Sequence, residues 1–464
     1  TLAITAPDSA ENVTFYVQEQ AVTAAANVTD LTMYLDGDRR RFVVNESAGP
    51  GDSPWIAFTV PHFSTRTIFF TGESDVVVDA SGDGNYTSIQ AGVDNATDGD
   101  LVEVRPGTYA ESVDVDENIT LVAPDGANIT NTSEVSGEYG LNISGAAAPA
   151  IGGFRLAGWQ VGVEARHSKG DWFLGDSVIH GGENGIVAAG TDNNWTVSYV
   201  KVDGTVSSGI VASESSGNWT VEEALINDTA TGLNASDSTG DWTVIDTRVE
   251  RTQDGIIVAR GSGAWTIERS YIAGAGSSGV EARQATGDWA IRYSAIVETQ
   301  QGVVATNTSG AWMIRYSAIN SSGLAIDAQD AEIEGNATLN WWGPDGPEES
   351  DFRGNVSYEP ALQAPPTYII GTLSAESGAS LAGDTVAAYT ETDDGEINLF
   401  DTQIDENGEF GIETERPGIV HTVVYGDDDI GEERNGVPDL YAIGKTIPPE
   451  QIEPTLPQAH NVSI

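Results

Sequence analysis

Cysteine is absent from the 464-residue chain, so neither a disulfide framework nor a thiolate metal site is available to it. Lysine is scarce: Lys169, Lys201 and Lys445 are the only three, within 20 basic residues set against 71 acidic ones. The formal charge of −51 excludes nucleic acid and anionic bilayers as natural partners, because both present a like-charged surface. No apolar run approaches the length of about 18 residues that a membrane-spanning helix needs. No basic segment followed by an apolar one opens the chain. Thr1 is therefore expected to be a processed or truncated start, and any surface attachment to be non-covalent or supplied by further sequence. Five histidines leave few bases that titrate near neutrality.

What is present is a repeat. Trp172, Trp195, Trp219, Trp242, Trp265, Trp289 and Trp312 recur every 23 or 24 residues, each ten residues after a glycine: Gly162, Gly185, Gly209, Gly232, Gly255, Gly279 and Gly302. That period is too short for a two-helix repeat and suits one coil of a parallel β-helix, three short strands joined by bends. The Gly-to-Trp distance is constant, so length variation is confined to the bend before the next glycine.

Alternation within a unit indicates strands with one buried face. After the glycine, positions one and three are apolar, as in Val163 and Ala165 or Ile210 and Ala212. Trp-Thr-Val then places tryptophan and aliphatic inward and threonine outward. A small residue and an Ile or Val follow, such as Ser270 and Ile272 or Ser294 and Ile296. Stacked coils put like on like at about 4.8 Å. The tryptophans are thereby expected to form a core column and not a sugar-stacking platform.

Few lysines and many carboxylates suit multimolar salt, where screening shortens the Debye length to about 3 Å or less and removes self-repulsion. Asn-x-Ser/Thr sequons are dense, with glycosylation candidates at Asn12, Asn27, Asn45, Asn85, Asn118, Asn128, Asn227, Asn307, Asn336 and Asn355. Asn194 and Asn218 also sit in sequons but precede core tryptophans. An extracellular or cell-surface location in a high-salt environment is the expectation.

Three regions are expected. Residues 1–73 read as a small β-sandwich of short strands, residues 74–365 as the β-helix, and residues 366–464 as a second sandwich after the proline-rich link that ends at Pro366. The tract Asp79-Ala-Ser-Gly-Asp-Gly-Asn-Tyr-Thr-Ser-Ile-Gln-Ala-Gly-Val93 followed by Val104-Arg-Pro-Gly-Thr-Tyr109 resembles the opening coil of the pectin-lyase-like superfamily, as in pectin methylesterases and NosD-like proteins. Trp55 to Thr65 and the closing stretch Asn336 to Pro347 resemble segments of haloarchaeal surface proteins. The resemblance implies a right-handed parallel β-helix whose open end is plugged by a helix within Tyr86 to Asn95, with Ile89 and Val93 over the first coil. Ile333 is expected in the tryptophan slot ten residues after Gly323, and Trp341 and Trp342 over the far end. Leu381 to Tyr389 and Ile404 to Ile412 resemble the carboxypeptidase-regulatory-like module, implying a transthyretin/Ig-like sandwich used as a spacer or adhesive domain.

Enzymes of that superfamily carry paired aspartates, Ca²⁺ carboxylates with an Arg or Lys base, or aspartate clusters on neighbouring coils. The outward columns here are mixed: the one three residues after each tryptophan reads Gly175, Ser198, Glu222, Ile245, Glu268, Arg292, Arg315, with Glu268 beside Arg292 as a cross-coil pair. The weak catalytic candidates are His167 and His180, near Lys169 and Glu183. No cofactor is expected, although Asp427, Asp429 and Asp439 have oxygen-ligand spacing that could hold Ca²⁺. The leading expectation is a non-catalytic structural or adhesive protein of a halophilic archaeon, a cell-surface or filament subunit that associates with itself head-to-tail, with other surface proteins, or with glycans. Two alternatives stay open: a β-helix enzyme acting on acidic polysaccharide, and a viral spike of the same fold.

Overall fold

A computed structural model describes residues 74–362 in full, except 132–137 and 146; on either side it describes the backbone of strands only. The described core is a parallel β-solenoid. One sheet of eleven parallel strands runs from Val113–Val115 through Asn184–Val187 and Asp254–Ile257 to Phe352–Gly354, carrying the glycine of each repeat. A second, continuous sheet carries the Trp strands (Trp172–Gly175 to Trp312–Arg315) and the Ile strands (Val178–His180 to Ala318–Ser321).

The register is the one the repeat implies. Trp172 pairs with Trp195, Trp195 with Trp219, and so on to Trp312, and the indoles stack with centroids 4.6–5.2 Å apart and planes within 6°. All seven are buried, at 2–4% exposure, which settles them as core. Below them Ile179, Val202, Ile226, Val249, Ile272, Ile296 and Ile319 form the facing column.

Each coil turns three corners, and one residue in the left-handed region makes each turn. Four residues past every tryptophan stand Asp176, Tyr199, Glu223, Asp246, Arg269, Tyr293 and Tyr316, all with φ between 44° and 56°. Five past the glycine come Gly190, Glu214, Asp237, Arg260, Gln284 and Asn307; nine past the tryptophan come Gly181, Gly204, Asp228, Arg251, Gly274 and Glu298. Left-handed backbone costs an L-residue about 1 kcal/mol or more, so stacked neighbours hold these corners in place. The 24-residue coils take their extra residue between the third corner and the glycine, where Val206 projects at 78% exposure.

The repeat glycines are fixed by space. A Cβ on Gly232 would lie 2.3 Å from Val249 Cγ1 and 2.6 Å from the Gly255 carbonyl oxygen, and its counterparts meet the same obstacles. A second column, Gly217, Gly240, Gly263, Gly287 and Gly310, has a carbonyl oxygen of the preceding coil 1.9–2.1 Å from any added Cβ.

Inside the bend after the Trp strand runs a hydroxyl ladder that the sequence showed only as small residues. Ser294 Oγ donates to the Arg292 carbonyl at 2.7 Å and accepts from Ser270 N–H at 3.2 Å; Ser317, Ser270 and Thr247 repeat the pattern, and Asn340 ends it by accepting from Ser317 N–H at 2.9 Å.

At the N-terminal end the helix Ile89–Asp94 plugs the solenoid, with Ile89 and Val93 fully buried as expected. Ser88 caps it, and the Glu111 carboxylate accepts from Ile89 N–H at 2.7 Å and Gln90 N–H at 3.0 Å, satisfying first-turn donors. At the far end one expectation is corrected. Ile333 is 41% exposed, and it is Gly335 that lies on Trp312, because Met313 pairs with Asn336. Ala325 fills the glycine slot over Gly302, so the ten-residue spacing persists with different residue types in both slots. Trp342 is buried edge-on against Phe352, while Trp341 packs outside, against an apolar patch of Ala295 and Ala318.

Strands before residue 74 pair antiparallel in two sets, including Asn12–Gln18 with Trp55–Pro61 and Thr32–Leu35 with Arg66–Thr71. Strands beyond residue 366 form a three-stranded and a four-stranded sheet, the latter pairing Thr385–Glu391 with Ile397–Gln403 and His421–Gly426.

Candidate functional site

The two histidines singled out in the sequence lie on different sheets. His167 belongs to the glycine-sheet strand Val161–Ser168 and lines a pocket of about 350 Å³ with Glu138, Glu164, Glu183, Arg166 and Tyr139. Glu164 is 7% exposed and its carboxylate holds Arg166 at 3.2 Å, so this acid is spent on an ion pair. His180 ends the strand Val178–His180 of the other sheet, where its Nδ1 meets Asp203 Oδ2 at 3.2 Å on the exposed surface. Glu183 stays with His167, and the pocket places three carboxylate side chains beside one imidazole. Among the described residues no group of three or more His, Asp or Glu converges as a metal site. Asp427, Asp429 and Asp439 lie outside the described residues.

A second concavity is an open groove of about 810 Å³ along the outer side of the Trp strands. Thr196, Thr220, Thr243 and Thr266 repeat along it once per coil, giving way to Ala290 and Met313. Its rim is the residue just before each tryptophan, and here the sequence hid an interaction. Asp171, Asn194, Asn218, Asp241 and Asp288 each accept through Oδ1 from the backbone N–H one coil on, at 2.8–3.0 Å. These side chains therefore bind coil to coil. Arg292 and Asn336 stand at the C-terminal end of the groove.

Charges elsewhere are arranged as cross-coil clamps. Arg251 grips Asp228, Arg260 grips Asp237 and Arg269 grips Asp246, each through two guanidinium–carboxylate hydrogen bonds of 2.6–3.1 Å. The expected Glu268–Arg292 pair has the right register, but Glu268 is held by Arg269 instead. Glu223 sits at a corner beside this set, and burial, reinforced by Asp246 and Glu222, pushes its carboxyl above the usual range against a hydrogen bond from Tyr199.

The sequons sort by geometry. Asn194 and Asn218 are engaged in the rim ladder, Asn227 is 6% exposed, and Asn128 donates its amide to the Gly107 carbonyl. Asn118 is exposed, but its Oδ1 accepts from Ala148 N–H. Asn85, Asn307, Asn336 and Asn355 are exposed. At Asn336 the sequon folds on itself: Thr338 N–H and Oγ1–H both donate to its Oδ1, at 3.3 and 2.9 Å. For Asn12 and Asn45 only the strand backbone is described, and Asn27 lies outside the described residues.

Residues 184–340 match the family described as right handed beta helix region. The parallel coil-on-coil register from Trp172 onward is that of a β-helix. No curated protein matches the chain. Among solved structures, an alginate lyase from Paenibacillus aligns at 15% identity over 58% of this chain and 96% of its own, with a TM-score of 0.38. The pectate lyase Pel9A aligns at 13% identity over 62% and 77%, with a TM-score of 0.36. The enzymatically active domain of a tailspike from bacteriophage CBA120 aligns at 9% identity over 81% and 68%, with a TM-score of 0.30. No helix among the described residues is long and apolar enough to cross a membrane.

Proposed function

We propose that the protein is a non-catalytic structural or adhesive rod of the cell exterior in a halophilic archaeon, a pectin-lyase-like solenoid used for its stiffness. The observation that carries this reading is the uninterrupted register from Trp172 to Gly335, in which each coil repeats the last at 23 or 24 residues and no bend admits a longer loop. A solenoid in which every corner, rim and core position is bonded to its neighbour resists bending over its whole length. A charge of −51 suits an exposed protein in concentrated salt. Partners of this rod are copies of itself, joined head-to-tail through its terminal β-sheets, or other surface proteins or glycans.

Rods of uniform length in electron micrographs of the native material, together with no reducing ends or unsaturated products from pectate, alginate or host exopolysaccharide at high salt, are the expected results. Turnover of any of these would overturn the reading. It would transfer attention to the pocket of His167 and Glu183, where the enzyme alternative has its acids and base. In the same reading the exposed sequons Asn85, Asn307, Asn336 and Asn355 carry the glycans, and Asn194, Asn218 and Asn227 carry none. Glycopeptide mass spectrometry on protein from its own host checks this site by site.

A further inference from the structure

Arginine is used with economy in this chain, and its placement is uneven. Eleven arginines lie within residues 74–362, and eight of them hold a carboxylate: Arg105, Arg166, Arg248, Arg251, Arg260, Arg269, Arg283 and Arg353. With 71 acidic residues to choose from, that is the expected outcome. Arg155, Arg292 and Arg315 have no carboxylate partner among the described residues, and the last two are register neighbours on adjacent strands. Two like charges one coil apart, about 4.8 Å of backbone spacing, repel each other. The carboxylate in register with Arg292 one coil back, Glu268, is engaged by Arg269. Arg315 lies over the Tyr316 ring at 5.0 Å, and its Nε is buried with no hydrogen-bond partner, an unmet donor in a chain rich in acceptors. Tyr316 stacks in turn on Tyr293, 5.7 Å away, which gives the pair a fixed aromatic backing. Arg292 is exposed and faces the end of the threonine groove, where the small Ala290 leaves the approach open.

We propose that Arg292 and Arg315 form a binding site for a dianionic phosphoryl group, carried by a phosphorylated sugar. Two adjacent guanidiniums call for two negative charges at one point. A single carboxylate leaves one unbalanced, whereas a phosphate monoester above its second pKa of about 6 brings a charge near −2 and three acceptor oxygens. The groove argues for a sugar and against a peptide. Its strands are already hydrogen-bonded on both sides, leaving no edge for an added strand, and its floor offers threonine hydroxyls at coil intervals from Thr196 to Thr266, ending at Ala290 and Met313 on the strands of the two arginines. This site is independent of the rod reading and survives its failure.

Titration calorimetry on the full chain with inorganic phosphate, glucose 6-phosphate, sulfate and galacturonate, at matched ionic strength, tests the assignment. Phosphate and glucose 6-phosphate are expected to bind at pH 8 about tenfold more tightly than at pH 5, following the second ionisation, while sulfate, a dianion throughout, binds equally at both. Arg292→Gln and Arg315→Gln are each expected to weaken binding about tenfold or more, with Arg155→Gln unchanged. Because Arg292 is exposed, its variant keeps the fold, which unaltered tryptophan fluorescence verifies. Saturable binding that persists in both variants, galacturonate binding as tight as phosphate, or the absence of any saturable binding would each overturn the proposal. Tighter binding of glucose 6-phosphate than of inorganic phosphate supports the sugar; the reverse order would overturn that part.

Discussion

Arg260 and Asp237 meet across one coil boundary as a two-bond clamp, Nε to Oδ1 at 2.8 Å and Nη2 to Oδ2 at 2.6 Å, and both residues are left-handed corners, with φ of 61° and 60°. The same arrangement holds Arg251 to Asp228 and Arg269 to Asp246, so the joint between these two coils is fastened at all three corners. Hydrogen bonds from their arginines, before any other influence, hold the Asp228 and Asp237 carboxyls below the usual range. A carboxylate with a depressed folded pKa contributes stability that is present above its unfolded pKa of about 3.9 and is lost as pH falls through the folded value. Asp228→Asn with Asp237→Asn is therefore expected to lower the melting temperature slightly at pH 7, since the pairs are largely exposed, by a difference that shrinks as pH falls below about 3.9. A difference that does not shrink with falling pH would assign the clamps a role other than charge.

Glu223 titrates the other way. Its folded pKa is raised, so ionisation costs stability as pH rises past the unfolded value of about 4.3. Glu223→Gln is expected to raise the melting temperature at pH 7 and to make no difference near pH 3, where the acid is protonated in both states. Melting curves at the two pH values decide it.

Within the hydroxyl ladder, Ser294→Ala removes the acceptor of Ser270 N–H, which is buried, and the donor to the Arg292 carbonyl, which is partly buried. The expected loss is about 1–3 kcal/mol by urea unfolding. Ser294→Thr, which keeps the hydroxyl as Thr247 does in its own coil, should recover most of it.

Gly232→Ala forces a methyl to within 2.3 Å of Val249 and 2.6 Å of a carbonyl oxygen, and the obstructing groups are core and backbone. A loss of roughly 1–3 kcal/mol or more is expected. Gln284→Gly, at an exposed corner with φ of 57°, moves in the opposite direction by roughly 0.5–1 kcal/mol, because glycine adopts that backbone without strain. Paired urea titrations of the two variants measure both signs at once.

How much of this was legible in the residues differs from feature to feature. The indole column, the Ile column and the coil register follow from spacing and alternation, because side chains that stack on their own kind repeat visibly, whereas the plugging helix was implied by the resemblance of its tract to a known opening coil. The corners were hidden: Asp176, Tyr199, Glu223 and Arg269 share a backbone conformation and no side-chain chemistry, so the column has no residue signature. The clamps did leave one, aspartates at 228, 237 and 246 and arginines at 251, 260 and 269, both at intervals of nine, and reading the three bends of a coil together finds it. Ile333 was misplaced because Gly323 looks like the repeat glycine, whereas Ala325 fills that slot, two residues on. The His167 pocket was half legible: Glu183 was in view, but Glu164, on the strand of His167 itself, was passed over, and Glu138 comes from the preceding coil of the glycine sheet.

Oxidation of the folded protein with N-bromosuccinimide, followed by peptide mapping, tests the central claim most directly, since that claim is that the seven repeat indoles form one dry column. The account expects Trp172, Trp195, Trp219, Trp242, Trp265, Trp289 and Trp312 to stay unmodified until the chain is unfolded, with Trp341 reacting first among the described indoles. Oxidation of the repeat tryptophans in the native state, at the rate found in denaturant, would contradict it.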